Sequence, residues 1–381
     1  MANTLTNLIP DIYGALDVVS RELTGFIPAA ARDSSADQIA DGQNLRVPIV
    51  PSNSTTADIT PAMSFPAIAD QTITPVTLTL TKKRYARFSW NGEEQKAMES
   101  GAEFAGLKQN QIAMAIRAII NEMELDLANA AYKASSRAFG TAGTTPFATT
   151  PGDLAQCRKI LDDNGAPLTD RQLVIGTTAG VNLRSLANLY RVNESQDTSL
   201  LRQGVLQDMY GFAIRESAQV PTVTKGTGAA YTTTAAGFAV GTTSIPIITG
   251  AGTVLQGDVV TFAGDTNKYV VQTGVAAPGT IVLQSPGLRQ AIPASATAMT
   301  IGNNYAANVA FSRNALLLAT RVPAVPQEGD LATDRMVITD PRTGIALEFA
   351  VYPGFRMNVY TIGAAWGVLA VKGEHISTLL G

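Results

Sequence analysis

The spacing of apolar residues changes along the chain and predicts elements of different kinds. Residues 107–139 contain neither Gly nor Pro. Apolar side chains recur there at helical spacing and form one stripe: Ile112, Ile116, Ile119, Met123 and Leu127. Three acidic residues lie off this stripe: Glu122, Glu124 and Asp126. At 1.5 Å per residue such a helix would be roughly 50 Å long, which exceeds the diameter of a small domain. We therefore predict that it is a strut.

Between Leu45 and Trp90 the period drops to two, which is typical of strands. ITPVTLTLTKKRYARFSW alternates for most of its length, and four cations with interleaved aromatic residues close it: Lys82, Lys83, Arg84 and Arg87, with Tyr85, Phe88 and Trp90. We predict a long two-stranded projection that is too thin to bury a core alone. The cations would either stack single-stranded nucleic acid or meet carboxylates of a neighbouring subunit, and we favour the subunit.

Helices and strands alternate on both sides of these elements. A short amphipathic helix, IYGALDVVSREL, is predicted between Pro10 and Pro28. A second helix, GDLAQCRKILDD, has Thr150 as its N-cap and Gly165 as its stop. RQLVIGTTAGVNLRSL is typical of a buried strand followed by a helix, and LRQGVLQDMYGFAIRESAQVP of a turn followed by a strand. This mixture indicates the α+β class.

The sequence between Pro221 and about Asn304 is rich in Thr, Gly, Ala and Val and has no helical period. Short strands are predicted near GFAVG, TSIPIIT, DVVTFAG, NKYVVQT and TIVLQS, and VLQGDVVTFAG has the pattern of a strand, a turn and a strand. The spacing predicts an inserted all-β barrel or sandwich. A carbohydrate-binding role would have few aromatic residues to use: Tyr231, Phe238, Phe262 and Tyr269.

The charge balance argues against a dedicated nucleic-acid-binding surface. The chain has 28 Lys and Arg against 31 Asp and Glu, a net charge of -3, whereas such proteins carry a basic footprint. Charged residues make up 15% of the chain, below the usual share of about 25%, which hints at surface covered by partners. The start, MANTLTNLIPDIYG, lacks the pattern of a secretory signal, and the stretch from Lys225 to Asp258 is too rich in Thr and Gly to span a membrane.

No catalytic constellation emerges from the residue types. His375 is the single histidine, so histidine metal clusters are impossible. With Glu374 it could form a general acid–base pair, but a surface or interface residue is the better interpretation. Cys157, the single cysteine, lies within a predicted helix and is interpreted as structural. The adjacent carboxylates of Asp162 and Asp163 could serve a hydrolase, but solvation of a helix end explains them better. We predict no enzyme, no cofactor and no metal.

The order of elements resembles the major capsid (coat) proteins of tailed double-stranded-DNA bacteriophages. RQLVIGTTAGVNLRSL is similar to the strand and helix of their axial domain, and LRQGVLQDMYGFAIRESAQVP to the turn and strand that follow. The segment from TDPRTGIALEF to the last residue resembles the closing segment of podovirus-type coat proteins. That subgroup carries a β-barrel insertion domain, which contains a sequence similar to Gly257–Phe262.

The resemblance implies the tailed-phage capsid fold with an inserted all-β barrel-like domain. Its segments would be an N-terminal arm (1–44), an extended β-hairpin loop (45–92), a peripheral domain with the spine helix (93–149), the first part of the axial domain (150–220), the inserted β-barrel domain (221–304), and the remainder of the axial and peripheral domains (305–381).

The resemblance also implies a function. Hexamers and pentamers of the chain would form an icosahedral phage head, assembled in the host cytoplasm, that encloses double-stranded DNA without sequence readout. A separate scaffolding protein and a portal protein would be partners, and no membrane is involved. The candidate inter-subunit contacts are Lys82, Lys83, Arg84, Arg87, Trp90, Glu93 and Glu94. Two alternatives stay open: an encapsulin-like nanocompartment shell, which the inserted domain disfavours, and a carboxylate-dependent hydrolase.

Overall fold

The computed structural model describes residues 24–38, 44–48, 75–99, 104–190, 208–339 and 344–381, with positions 42, 61, 63, 204 and 206. The amphipathic helix predicted between Pro10 and Pro28 lies outside these residues. The described residues form six α-helices: α1 Phe26–Ala29, α2 Gly92–Glu99, α3 Phe104–Ala134, α4 Gly152–Asp163, α5 Thr177–Ser185 and α6 Ala187–Tyr190.

The described residues also form 20 strands, numbered in chain order. The first eight are β1 Ala31–Gln38, β2 Asn44–Pro48, β3 Pro75–Thr79, β4 Lys82–Asn91, β5 Arg137–Phe139, β6 Arg171–Gly176, β7 Phe212–Ser217 and β8 Thr222–Val223. The others are β9 Tyr231–Thr233, β10 Ser244–Ile248, β11 Val259–Phe262, β12 Lys268–Thr273, β13 Gly279–Leu283, β14 Ala298–Ile301, β15 Tyr305–Ser312, β16 Leu316–Val322, β17 Asp334–Thr339, β18 Ala346–Gly354, β19 Met357–Ala370 and β20 Ile376–Leu380.

Helix α3 is the predicted strut, and the burial of its apolar stripe is confirmed. All five residues of the stripe are buried in the main hydrophobic core: Ile112, Ile116, Ile119, Met123 and Leu127. The prediction is wrong at the C-terminal end, because the helix stops at Ala134 and residues 137–139 form strand β5. β5 pairs with β20 on one side and β12 on the other, so long-range strand pairing overrides local helical propensity there.

A six-stranded sheet packs against α3 and is centred on the long strand β19. One side of β19 pairs with β4 from Met357 to Trp366. The other side pairs first with β18 and then with β16. β17 and β1 extend the sheet at its edges, β1 in parallel with β16. The sheet and the helix therefore form one slab with a continuous core between them.

The predicted projection is divided between two sheets. β2 and β3 pair with each other from Asn44–Thr79 to Pro48–Pro75 and form a two-stranded sheet. β4, in contrast, pairs over all its residues with β19 and lies on the slab, so the prediction that its cations project on a hairpin is wrong. The partner strand is more than 260 positions away in the sequence, which is why a local pattern could not reveal it.

The predicted strand and helix after Asp170 are confirmed as β6 and α5. Every side chain from Arg171 to Ile175 in β6 is buried, and β6 lies between the parallel strand β7 and the antiparallel strand β15. Helix α4 covers this sheet and buries Leu154, Cys157 and Leu161 against it. Burial raises the pKa of the Cys157 thiol to about 12, which suits the predicted structural role.

The inserted domain is a closed barrel of six antiparallel strands. Its pairings run β11–β14–β9–β10–β13–β12 and return from β12 to β11. The barrel has a core of its own, which includes Tyr231, Phe262 and Tyr269. GFAVG is not a strand, since only Phe238 makes an isolated bridge there, and VLQGDVVTFAG contributes one strand rather than two.

The barrel is joined to the rest of the molecule at two places. Its strand β12 pairs with β5, which makes the barrel continuous with the large sheet. Its entry and exit strands, β8 and β15, pair with each other through Val223 and Tyr305. The Tyr305 hydroxyl donates to the Gly257 carbonyl at 2.6 Å, close to the Tyr132 ring of α3. The barrel is thus docked on the slab.

Candidate assembly surface

Strand β4 carries most of the predicted contact residues and presents them on two faces. Its even-numbered residues point toward α3, because Lys82 and Arg84 meet carboxylates of that helix and Trp90 donates from Nε1 to Gln111 Oε1 at 2.7 Å. Its odd-numbered residues point the other way, and Lys83, Tyr85 and Arg87 are exposed. The period-two pattern therefore separates the cations into an inner pair and an outer pair.

The inner pair finds its carboxylates within the chain. The Lys82 ammonium lies 2.7 Å from Asp126 Oδ1 and 3.1 Å from Glu122 Oε1, and Arg84 Nε lies 3.2 Å from Glu122 Oε1. The other oxygen of Asp126 accepts from Trp366 Nε1 at 2.8 Å. A neighbouring subunit is not needed to neutralise these two cations. Their role in contacts between subunits stays a prediction.

The outer pair lies on an open sheet surface. Arg87 stacks over the Tyr85 ring, with 5.6 Å between the guanidinium carbon and the ring centroid. Beside Lys83 and Tyr85, a cavity of about 220 Å³ contains Arg335 and Glu348, whose Nε and Oε1 atoms are 2.6 Å apart. This face, formed by the odd-numbered side of β4 and its neighbours on β17–β19, is called the outer face below.

Glu93 and Glu94 lie at the start of α2, as the sequence predicts, and both have partners within the chain. Glu94 Oε2 accepts from the Asn91 backbone N–H at 3.1 Å, while Asn91 Oδ1 accepts from the Glu94 N–H at 2.7 Å. This reciprocal arrangement is a capping box. Glu93 Oε1 lies 2.6 Å from Arg356 Nη2 at the tip of the β18–β19 hairpin. Phe355, next to Arg356, is 93% exposed.

The structure also shows the contacts of the residues that the sequence offers for catalysis. Asp162 Oδ1 lies 2.7 Å from buried Arg171 and Asp163 Oδ2 lies 3.0 Å from buried Arg137, so both carboxylates serve ion pairs. Glu374 accepts from Ser285 Oγ at 2.6 Å rather than orienting His375. No group of three or more His, Cys, Asp or Glu suited to a metal ion occurs among the described residues.

The barrel aromatics do not form a carbohydrate platform. Tyr231, Phe262 and Tyr269 are buried in the barrel core, and Phe238 is only partly exposed. The described part of the chain contains no helix with the length and apolar character needed to cross a membrane.

The sequence pattern missed one polar residue that organises the fold. Glu124 lies off the apolar stripe of α3, yet it is fully buried. Its carboxylate accepts the backbone N–H groups of Phe26 and Ile27 and the hydroxyl of Ser217. Burial raises the pKa of Glu124, although these hydrogen bonds act in the opposite direction. The segment at residues 26–27 and the end of β7 meet it there, and no helical period could have indicated these distant contacts.

Comparison with solved structures identifies the fold. The capsid structure of the cyanophage P-SCSP1u is similar over 92% of this chain and 86% of that chain, with a TM-score of 0.51 and 12% identity. The chain has a phage capsid fold. A structure from Mycobacterium phage Che8 is similar over 90% of this chain and 85% of that chain, with a TM-score of 0.48 and 12% identity.

A third structure, the capsid of a native GTA particle, is similar over 94% of this chain and 90% of that chain, with a TM-score of 0.49 and 10% identity. No protein-family model and no curated protein sequence matches the chain. The closed barrel agrees with the all-β barrel-like domain that the sequence predicts. The domain limits themselves stay predictions.

Proposed function

We propose that this chain is a major capsid protein whose hexamers and pentamers form an icosahedral head around double-stranded DNA. The observation that carries the proposal is the fold, which the chain shares with a cyanophage capsid over 92% of its length. A structural role agrees with the ion pairs that occupy Asp162 and Asp163. The protein would then be a structural subunit that acts through contacts with neighbouring subunits.

The surface of the single chain supports assembly. Two large apolar side chains are almost fully exposed at the ends of loops beside the outer face: Phe355 at 93% and Leu331 at 83%. Exposed apolar side chains of this size become buried when a partner covers them, which is favourable in water. We therefore assign the outer face, with the exposed cations Lys83 and Arg87, to contacts between subunits.

The charge of the chain suits a container for DNA. With 28 basic and 31 acidic residues, it lacks the excess of Lys and Arg that grips phosphates. A shell that holds DNA weakly allows packaging and release. We further propose a separate scaffolding protein and a portal protein as partners, and the virion as the location of the mature protein, because the tailed-phage resemblance implies all three.

The test is expression of the full chain, alone and together with a candidate scaffolding protein, followed by sedimentation and electron microscopy. We expect closed shells or capsomer-like rings in the fast-sedimenting fraction. Phe355→Ser serves as the assembly variant, because a side chain that is 93% exposed contributes little to folding. It should sediment as a folded monomer with an unchanged circular dichroism spectrum.

Particles purified from phage lysates would be treated with nuclease and analysed for protected nucleic acid. Protected double-stranded DNA supports the head. Shells that contain enzymes and no DNA would contradict it and favour a nanocompartment. A chain that remains monomeric in every combination would reject assembly altogether.

A further inference from the structure

A cavity of about 310 Å³ lies where the barrel meets β5 and α4. Three segments form its walls: residues 137–141 around β5, one face of α4 from Gln156 to Asp163, and the barrel residues Thr266–Lys268. None of these segments belongs to the proposed assembly surface. The cavity is partly open to solvent and is bordered by the β5–β12 pairing that joins the barrel to the large sheet.

The cavity has an excess of positive charge. Arg137, Lys159 and Lys268 line it, and Asp163 is the single carboxylate in its wall. Asp163 neutralises Arg137, since Arg137 Nη2 lies 3.0 Å from its Oδ2. Within the part of the chain that the structure describes, no carboxylate lies within 4.0 Å of either lysine ammonium. Two positive charges are therefore left without a counter-ion at this site.

The cations that line the cavity differ in how accessible they are. Arg137 is 5% exposed, and its Nε has no hydrogen-bond partner among the described residues. Its other nitrogens bind Asn267 Oδ1 and Asp163, which fixes the guanidinium in place. Lys268 donates to the carbonyl of Gly140, and burial lowers its pKa. The Arg137 Nε is closed off from solvent, so an anion in the cavity would meet the ammonium groups of Lys159 and Lys268 first.

We propose that this cavity binds a small oxyanion of the phosphate class between Arg137, Lys159 and Lys268. Both Nη atoms of Arg137 already have acceptors, so its guanidinium supplies fixed positive charge, and each lysine adds a mobile point charge. A free anion fits the volume, whereas a DNA duplex, whose major groove alone is about 12 Å wide, does not. The anion would connect β5, α4 and β12, and so hold the barrel against the large sheet.

The test is equilibrium dialysis of the purified full chain against radiolabelled inorganic phosphate, with chloride at matched ionic strength. We expect one saturable site per chain. Lys159→Gln should weaken phosphate binding at least tenfold. It leaves the fold intact, because Lys159 makes no ion pair in the described chain. Lys225→Gln, the same change at an exposed lysine outside the cavity, is the matched control and should bind as the wild type does.

Equal phosphate binding by Lys159→Gln and Lys225→Gln would overturn the site, as would weak binding that chloride abolishes. An unlabelled DNA duplex separates the two sources of a phosphate group. It should not displace the labelled anion, and displacement would overturn the assignment of a free anion.

Discussion

Glu124 on α3 accepts the backbone N–H of Phe26 at 2.7 Å, although the two residues are 98 positions apart. The same carboxylate accepts from Ile27 at 2.9 Å and from the Ser217 hydroxyl at 2.8 Å. One buried acidic side chain thus joins α1 and the end of β7 to the middle of α3.

Replacing Glu124 by Ala should be strongly destabilising, because it leaves several buried N–H groups without an acceptor. We expect a loss of about 3 kcal/mol in the free energy of unfolding. The control is Glu122→Ala on the same helix, where a partly exposed carboxylate pairs with Lys82, and it should cost less than about 1 kcal/mol. Urea unfolding followed by circular dichroism measures both. Similar losses for the two variants would contradict the buried anchor.

The two faces of β4 predict different effects for the same substitution. Arg84→Gln removes an ion pair with Glu122 on the inner face and should leave particle assembly unchanged. Arg87→Gln changes the outer face and should reduce the yield of particles at least fivefold without altering the unfolding midpoint. Sedimentation velocity and urea unfolding on both variants provide the comparison. If both variants assembled equally well, the outer face would not be the contact surface.

Gly257 should resist substitution because of its neighbours as well as its backbone. Its φ is +90°, and a Cβ there would lie 2.6 Å from a ring carbon of Tyr132. Gly264→Ala is the matched control, with φ +88° and nothing within 4 Å of the new Cβ. We expect about 1 kcal/mol for Gly264→Ala from backbone strain and about 3 kcal/mol for Gly257→Ala, where overpacking is added. Equal unfolding losses would exclude the clash.

His375 should make the stability of the chain fall in mild acid. Burial, and then the positive charge of Lys372, lowers its pKa. The unfolded chain therefore binds a proton first, so this contribution is complete above about pH 6.5 and is lost as the pH falls through the folded pKa. His375→Gln should remove that part of the slope when the two proteins are unfolded in urea between about pH 5 and pH 7.5. Parallel pH profiles would count against the assignment.

Local periodicity predicts the elements whose type and buried side follow from the spacing of nearby residues, whatever they pack against. The stripe from Ile112 to Leu127 repeats every three or four residues, so the helix and its buried side follow from the sequence. The apolar run from Leu173 to Ile175 similarly predicts a buried strand. In both cases short-range spacing and burial point to the same structure.

Long-range pairing accounts for what the sequence pattern could not predict. β4 alternates in the same way whether it projects or lies beside β19, so the pattern fixes its two faces but not its neighbour. The burial of Glu124 depends on a segment about a hundred residues earlier. The closure of the barrel depends on the β11–β12 pairing, which no single strand encodes.

The pairing of β8 with β15 holds the two ends of the barrel together, while β12 connects its side to β5. Its two ends, at Val223 and Tyr305, lie side by side in the sheet, and its core is formed by its own side chains. A foreign domain whose termini are equally close could be grafted between these strands without separating them. In a closed shell, every subunit would then display one copy of the graft at a fixed spacing, which makes this position a point for engineering multivalent particles.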